Sequence, residues 1–422
     1  MYYGWIIVAV AFVTLGIAFG IWYSFSVFFL VIIKEFGWSR AAASSIFSIF
    51  IISQAVMGLL TGFLQDRFGP RKTIPFGTVL LAVALVLTSQ ASRMWHFSLA
   101  YGLLAGSGIS LLGFSSHSAF IPKWFERKRG LAIGIAMSGI GFGMLFLVPL
   151  VEKLITLYGW RFSYLFLAGL VLFLVIPLNL IFSRRSPADL NLKPDGDAAH
   201  PSPTRTGPAL VMQIVDPDWA GTEWTLKKAV ATKRFWFLAT AFFFGSLVFQ
   251  STLLHSVSAL VDAGLSRTAA AYYFGILGIM GSAGKIFFGY LSDRFNRETI
   301  NNLAGLVTAL GLACLIATGR VEGPLSLLFA LLFGLGYGAA APLFPSISAD
   351  IFLGRSFGFI FSVICIGGGI GGALGSFLLG YLRDLSGSYS LAFSLTLIGV
   401  FLSCLFVWLA APSQVRKMVK VA

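Results

Sequence analysis

The chain has 422 residues, 57% of them apolar and only 11% charged, with a mean hydropathy of +0.88, whereas soluble domains hold roughly half apolar and a quarter charged residues. These values exclude a water-soluble globular domain and identify an integral membrane protein. A net charge of +14 would point to nucleic acid in a soluble chain, but its distribution along this one removes that reading.

Twelve apolar stretches, each long enough to cross a hydrocarbon core of about 30 Å as a helix, recur from end to end. They lie at 5–33, 43–64, 73–91, 96–121, 130–151, 162–183, 235–261, 268–290, 300–319, 325–349, 357–381 and 389–411. The first follows only "MYYG" and carries neither a charge nor a small-residue cleavage site, so it is expected to be a retained helix and not a signal peptide. The second runs into "GFLQDRF" (62–68), the fourth contains "GFSSHSAF", and the fifth spaces Gly134, Gly139, Gly141 and Gly143 along one helix. The polar stretch 184–234, rich in Pro, Asp and Ser, reads as a flexible cytoplasmic linker. Beyond it the seventh span holds His255, and the eighth holds Lys285 in "GSAGKIFFGYLSDRF" (281–295). The eleventh contains "GGGIGG", a formal GxGxxG, but no strand precedes it and dinucleotide binding is rejected. Cys314, Cys365 and Cys404 are scattered singly in apolar spans, so neither a disulfide framework nor a metal site is indicated, and no cofactor is expected. The expected fold is an all-α membrane protein with an N-terminal six-helix half (1–183), the linker (184–234) and a C-terminal six-helix half (235–422).

With both termini cytoplasmic, the inside segments hold 21 Lys and Arg and the outside loops 8, the remaining one being Lys285. That asymmetry is the positive-inside rule, and it predicts a multi-pass protein of the cell (inner) membrane with both ends in the cytoplasm. The basic excess therefore serves topology, and nucleic acid is not expected as a partner.

The halves repeat each other. "GFLQDRF" (62–68) and "GYLSDRF" (289–295) agree at five of seven positions at an offset of 227, and at 228 Gly139, Gly141 and Gly143 fall on Gly367, Gly369 and Gly371. Six plus six helices in parallel repeat, with a substrate site expected between the halves, is the architecture of carriers that rock one half against the other. "GFLQDRFGPRK" (62–72) resembles the signature loop of the major facilitator superfamily, with Pro70 where an arginine is usual, and its second copy lies where that superfamily repeats it. "YYGWIIVAVAF", "PKWFERKRGLAIGIAMSGIGFG" (122–143) and "YGAAAPLFPSISADIF" (337–352) narrow the resemblance to the monocarboxylate transporter family and its bacterial relatives, including the oxalate/formate antiporters. The likeness covers nearly the whole chain apart from the linker.

All 16 acids can be placed in loops or at helix ends, so a carboxylate relay within the membrane is not expected. What remains in the apolar spans is Lys285, His255 and His117. Lys285 has two readings. Its stem can snorkel to the cytoplasmic interface, because Asp293 is only about 12 Å further along the helix axis; or its ammonium can anchor a substrate carboxylate, which offsets the cost of keeping a charge there. His255 is a proton-coupling candidate or a hydrogen-bonded packing residue about two turns from Asp262. His117 is a weaker candidate, since Ser115, Ser116 and Ser118 can satisfy it locally. Asp66 with Arg67, and Asp293 with Arg294, read as latches at cytoplasmic helix ends or as plain topology signals.

The resemblance adds roles. Related transporters carry an essential arginine four residues before the glycine that corresponds to Gly289, where this chain has Lys285, so the family implies an anion anchor with a point charge in place of a planar fork. The oxalate carriers add a second cation in the eleventh span, and 357–382 contains none; several animal members have an aspartate where this chain has Gly281; bacterial relatives place a histidine in the seventh span. One fixed cation suits one carboxylate. Phe114, Tyr337 and Phe359 are the implied apolar and hydroxyl lining of the site, against packing as the alternative for each. The expected function is secondary transport of a small monocarboxylate such as lactate or pyruvate with a proton, by a chain working as a monomer in the lipid bilayer. An anion exchanger of the oxalate/formate type is the alternative within transport. A membrane enzyme is disfavoured by the lack of paired carboxylates, HExxH or GxSxG, and a receptor by the lack of a soluble sensory domain.

Overall fold

A computed structural model describes residues 2–125, 129–194, 210–318, 324–354 and 356–420. Among these residues ten helices are long and apolar enough to cross a membrane, and two local features account for the difference from twelve. The fourth span is interrupted: Met94–Phe97 is α-helical, Ser98–Ala105 π-helical, Gly106–Leu112 α-helical, and Gly113 leaves helical geometry before Phe114–Trp124 resumes it. Gly113 thus divides it into two helical pieces. The run Arg129–Leu170 contains one non-helical residue, Gly159, at φ 83°, a conformation open to glycine and strained for other residues, and there one span ends and the next begins. The helices are accordingly α1 (Tyr3–Phe36), α2 (Arg40–Phe68), α3 (Pro70–Ser89), α4 (94–124), α5 (129–158), α6 (160–182), α7 (Lys233–Asp262), α8 (Arg267–Ser292), α9 (Arg297–Ala317), α10 (Pro324–Phe352), α11 (Phe357–Ser386) and α12 (Tyr389–Ala410).

Their ends follow the capping chemistry of the sequence. Ser39 caps α2 by accepting from the Ala42 amide at 3.1 Å, Ser388 caps α12 through the Ser390 amide, and Pro70 opens α3 where its missing N–H costs nothing. The first residues of "YYGW" serve helix C-termini. The Tyr2 hydroxyl donates to the Trp124 carbonyl at 2.7 Å and the Tyr3 hydroxyl to the Phe182 carbonyl at 2.9 Å, satisfying groups that have no partner within their own helices.

The described chain forms two compact units, one of residues 1–199, 253–279 and 376–387, the other of 200–252, 280–375 and 388–422. Helices α7, α8 and α11 contribute residues to both. In the first unit α5 lies directly on the backbone of α1: a Cβ added at Gly139 or Gly143 would strike the carbonyls of Phe12 and Gly16. In the second unit α11 lies in the same way on α7, with Gly367 against the Ala239 carbonyl and Gly371 against that of Phe243. The glycines that repeat at an offset of 228 thus make the same backbone-to-backbone crossing twice, the close approach that small residues permit where lipid supplies no hydrophobic drive between helices.

The expectation of a flexible linker is corrected for its second part. Leu210–Ile214 (β1) pairs antiparallel with Arg416–Lys420 (β2). The following segment anchors through Trp219, whose indole donates to the Ile351 carbonyl at 2.8 Å, and through Trp224, whose ring meets Phe352 edge-on at 5.0 Å. Polar composition concealed two aromatic anchors with large apolar area to bury.

These crossings make a comparison possible among glycines. Gly143→Ala and Gly371→Ala should each lower the thermal unfolding midpoint, followed by tryptophan fluorescence, at a cost of about 1–3 kcal/mol from overpacking. Gly62→Ala and Gly134→Ala, where a Cβ meets nothing within 4 Å, should leave it unchanged; equal effects at all four positions would refute the crossing as the cause.

Candidate functional site

Lys285 lies in α8 of the second unit, half-buried, where α8 and α10 touch through their backbones. Gly284 meets the Leu335 carbonyl, and a Cβ on Gly338 would lie 2.8 Å from the Lys285 amide nitrogen. This crossing brings Tyr337 to the same place: a Cβ at Gly281, one turn before Lys285, would be 3.2 Å from the Tyr337 ring. A side chain at that position would require the ring to give by a few tenths of an ångström. Phe249 of α7 meets Tyr337 edge-on at 5.3 Å. Among the described residues the Lys285 ammonium makes no ion pair or hydrogen bond. Phe249 also borders a cavity of about 30 Å³ lined by Asn301, Ala339, Phe344, Ser403 and Cys404, room for about two waters. Phe359 of α11 is 62% exposed, and the side chain of Phe114 lies outside the described residues.

The two histidines belong to the first unit. His255 is fully buried, with Nε2 at 3.0 Å from the Ser376 carbonyl and 3.1 Å from Ser44 Oγ, and with the ring of Phe29 edge-on at 5.2 Å. A carbonyl only accepts, so Nε2 carries the proton. The Ser44 hydroxyl in turn donates to the Arg40 carbonyl at 2.7 Å, linking His255 to the first turn of α2. There Asp262 joins two guanidiniums, with Arg40 Nη2 at 3.0 Å and Arg383 Nη2 at 3.0 Å, while Asp384 accepts from the backbone amides of Arg40 and Ala41 at 3.1 and 2.8 Å. His117 points Nδ1 at the Gly113 carbonyl, 3.0 Å away, and its buried Nε2 has no partner among the described residues. The Ser116 hydroxyl goes to the Leu111 carbonyl, so Gly113, where α4 breaks, and not Ser116 satisfies Nδ1; the side chains of Ser115 and Ser118 lie outside the described residues.

At the signature loops, Arg67 lies 5.4 Å from the Phe68 ring centre and Arg294 4.1 Å from that of Tyr290. Asp293 and Arg294 form no ion pair among the described residues, and the Asp66 side chain lies outside them. The ion pair near the second loop is a different one. Arg297 holds Asp350 at 2.5 Å, both nearly buried, and Arg416 donates to the Asp350 carbonyl at 2.6 Å. Sequence reading missed it, as it missed the Asp262 group, because the partners are far apart along the chain. Glu152, one of the acids expected in loops or at helix ends, is 2% exposed, inside helical structure that continues to Gly159.

The family model of the Major Facilitator Superfamily matches residues 10–372. The chain belongs to the major facilitator superfamily. Monocarboxylate transporter 13 of Bos taurus is 28% identical to it, over 95% of this chain and 87% of that protein, and monocarboxylate transporter 12 of Rattus norvegicus is 27% identical over 99% and 87%. Among solved structures, a D-xylose-proton symporter superposes with a TM-score of 0.72 at 18% identity over 96% of this chain and 97% of that one, and a bacterial homolog of the human lysosomal transporter Spinster with 0.69 at 16% over 97% of both. The twelve-helix fold is that of this superfamily, and the chain is a membrane transporter related to the monocarboxylate transporters, not an enzyme.

The Asp262 group yields a salt-dependent prediction. Asp262→Asn removes the anion shared by two guanidiniums, and the unfolding midpoint should drop by the equivalent of about 1 kcal/mol at low ionic strength. The gap from the original chain should narrow as salt rises; a gap independent of salt would mean that packing and not charge holds this group together.

Proposed function

We propose that this transporter carries small monocarboxylate anions of the lactate and pyruvate type together with a proton, by alternating access of its two repeats. The observation that carries this reading is Lys285, a cation in a half-buried position of α8 with no carboxylate or hydrogen-bond partner among the described residues. Keeping an ammonium there is unfavourable until an anion arrives, and a substrate carboxylate supplies that charge. Tyr337, one turn away, adds a ring and a hydroxyl to the same place, with Phe114 and Phe359 as further lining. The absence of a second cation in α11 favours one carboxylate over two, and the relationship to proteins named monocarboxylate transporters supports the same class.

In this mechanism the empty or doubly loaded carrier reorients, and the carrier holding one charged ligand does not. His255, hydrogen-bonded to Ser376 and Ser44, is the first candidate for the proton, with His117 and Lys285 itself behind it. Asp66, Arg67, Asp293 and Arg294 act as latches at helix ends on the cytoplasmic side of the cell membrane, where both termini lie, and a single chain is the working unit.

Uptake of labelled lactate, pyruvate, formate and oxalate into proteoliposomes tests this. The original chain should take up monocarboxylates under an inward proton gradient with no internal anion, and oxalate poorly. Lys285→Arg should retain uptake, while Lys285→Gln should lose a charge-assisted hydrogen bond of about 1.5–3 kcal/mol, roughly ten- to hundredfold in affinity. Normal monocarboxylate uptake by Lys285→Gln would refute the anion anchor, and uptake only when an internal anion is present would establish an exchanger instead.

A further inference from the structure

Glu152 is a buried carboxylate for which the mechanism above has no use. It lies on the face of α5 that packs on α8: Gly275 rests against Leu145 and Gly278 against Met144, and Glu152 follows these two residues by seven and eight positions, the spacing of one helix face. The two helices run antiparallel through this contact, so the residue of α8 that comes level with Glu152 lies at its first turn. That residue is Arg267, whose charge acts on the carboxylate. No hydrogen-bonded ion pair joins them among the described residues, so the attraction acts through space. Among the described residues the side-chain donor close to the carboxylate is the Thr156 hydroxyl, which donates to the Glu152 carbonyl at 3.0 Å and lies 3.5 Å from Oε1.

The other charged groups on the elements around it hold other partners or are exposed. On α1 they are Lys34 and Glu35, and Glu35 is held by Arg161 of α6 at 2.7 Å and by the Trp160 indole. On α3 they are Arg71 and Lys72 in its first turn, with Arg71 donating to the Leu180 carbonyl. On α5 itself Lys153 is exposed. Among the described residues Arg267 is the cation that acts on ionised Glu152, and burying a carboxylate with so little compensation is costly.

We propose that Glu152 binds the transported proton. A proton from water adds to one carboxylate oxygen and forms an O–H bond, with no other bond made or broken. The Arg267 guanidinium keeps its charge but loses the anion it attracts, and the first turn of α8 is released from α5. Because α8 is the helix that carries Lys285, occupancy of Glu152 acts on the element that carries the anion anchor. This inference rests on the proton-coupled reading for its role in transport, whereas the protonation itself does not.

Infrared difference spectra of the reconstituted protein between acidic and neutral pH should contain a carboxylic acid C=O band that disappears in Glu152→Gln and titrates at higher pH in Arg267→Gln, where the compensating cation is gone. Spectra identical in the original chain and Glu152→Gln would overturn the proposal. In proteoliposomes Glu152→Gln should keep pyruvate counterflow and lose accumulation driven by a proton gradient; retained accumulation would also overturn it. If the original chain moves no pyruvate while the Glu152 band is present, the monocarboxylate reading fails and the proton site stands.

Discussion

Within hydrocarbon no water is present to receive a backbone amide or carbonyl, so each span must close its hydrogen bonds on itself. From that constraint follows the shape of each contact in this chain. Helices whose backbones are already satisfied gain little from touching through large apolar side chains, which lipid solvates equally well, and they gain most where small residues let main chains meet. The crossings of α5 on α1 and of α11 on α7 are such meetings, and both depend on residues without a Cβ. The contact of α8 with α10 at Gly284 and Gly338 is a third, and it is this one that sets Lys285 beside Tyr337.

The same constraint sorts the charges. Arg40, Asp262, Arg383 and Asp384 collect at helix ends, where carboxylates also cap free amides. Asp350, Arg297 and Arg416 do so at the start of α9 and the end of α10. Among the described residues Lys285 and Glu152 are the exceptions, each with a burial that neither a helix end nor a close ion pair explains. In a membrane protein such exceptions are retained where they do work.

Much of this was legible in the amino-acid sequence. Spans are visible because twenty apolar residues have few other uses, and the duplication is visible because the glycine stripes and the "DRF" loops recur at nearly one offset. Lys285 stands out for the same reason, as a charge in an apolar run. What escaped reading depended on partners remote in sequence or on local geometry with a weak signature. The break at Gly113 looks like one more small residue until His117 and Ser116 are seen taking carbonyls on either side of it. Glu152 follows an apolar run as a helix-end residue would, but α5 continues to Gly159 and the carboxylate is buried. The polar linker hid Trp219 and Trp224, whose burial beside Phe352 outweighs the surrounding polarity.

The ribbon of β1 and β2 has a further consequence. The strand that leads into α7 is hydrogen-bonded, residue for residue, to the strand that leaves α12, so the second repeat begins and ends at one shared joint. A polypeptide whose entry and exit are stitched together behaves mechanically as a closed loop: a pull on the tail is borne by the ribbon before it reaches the helices.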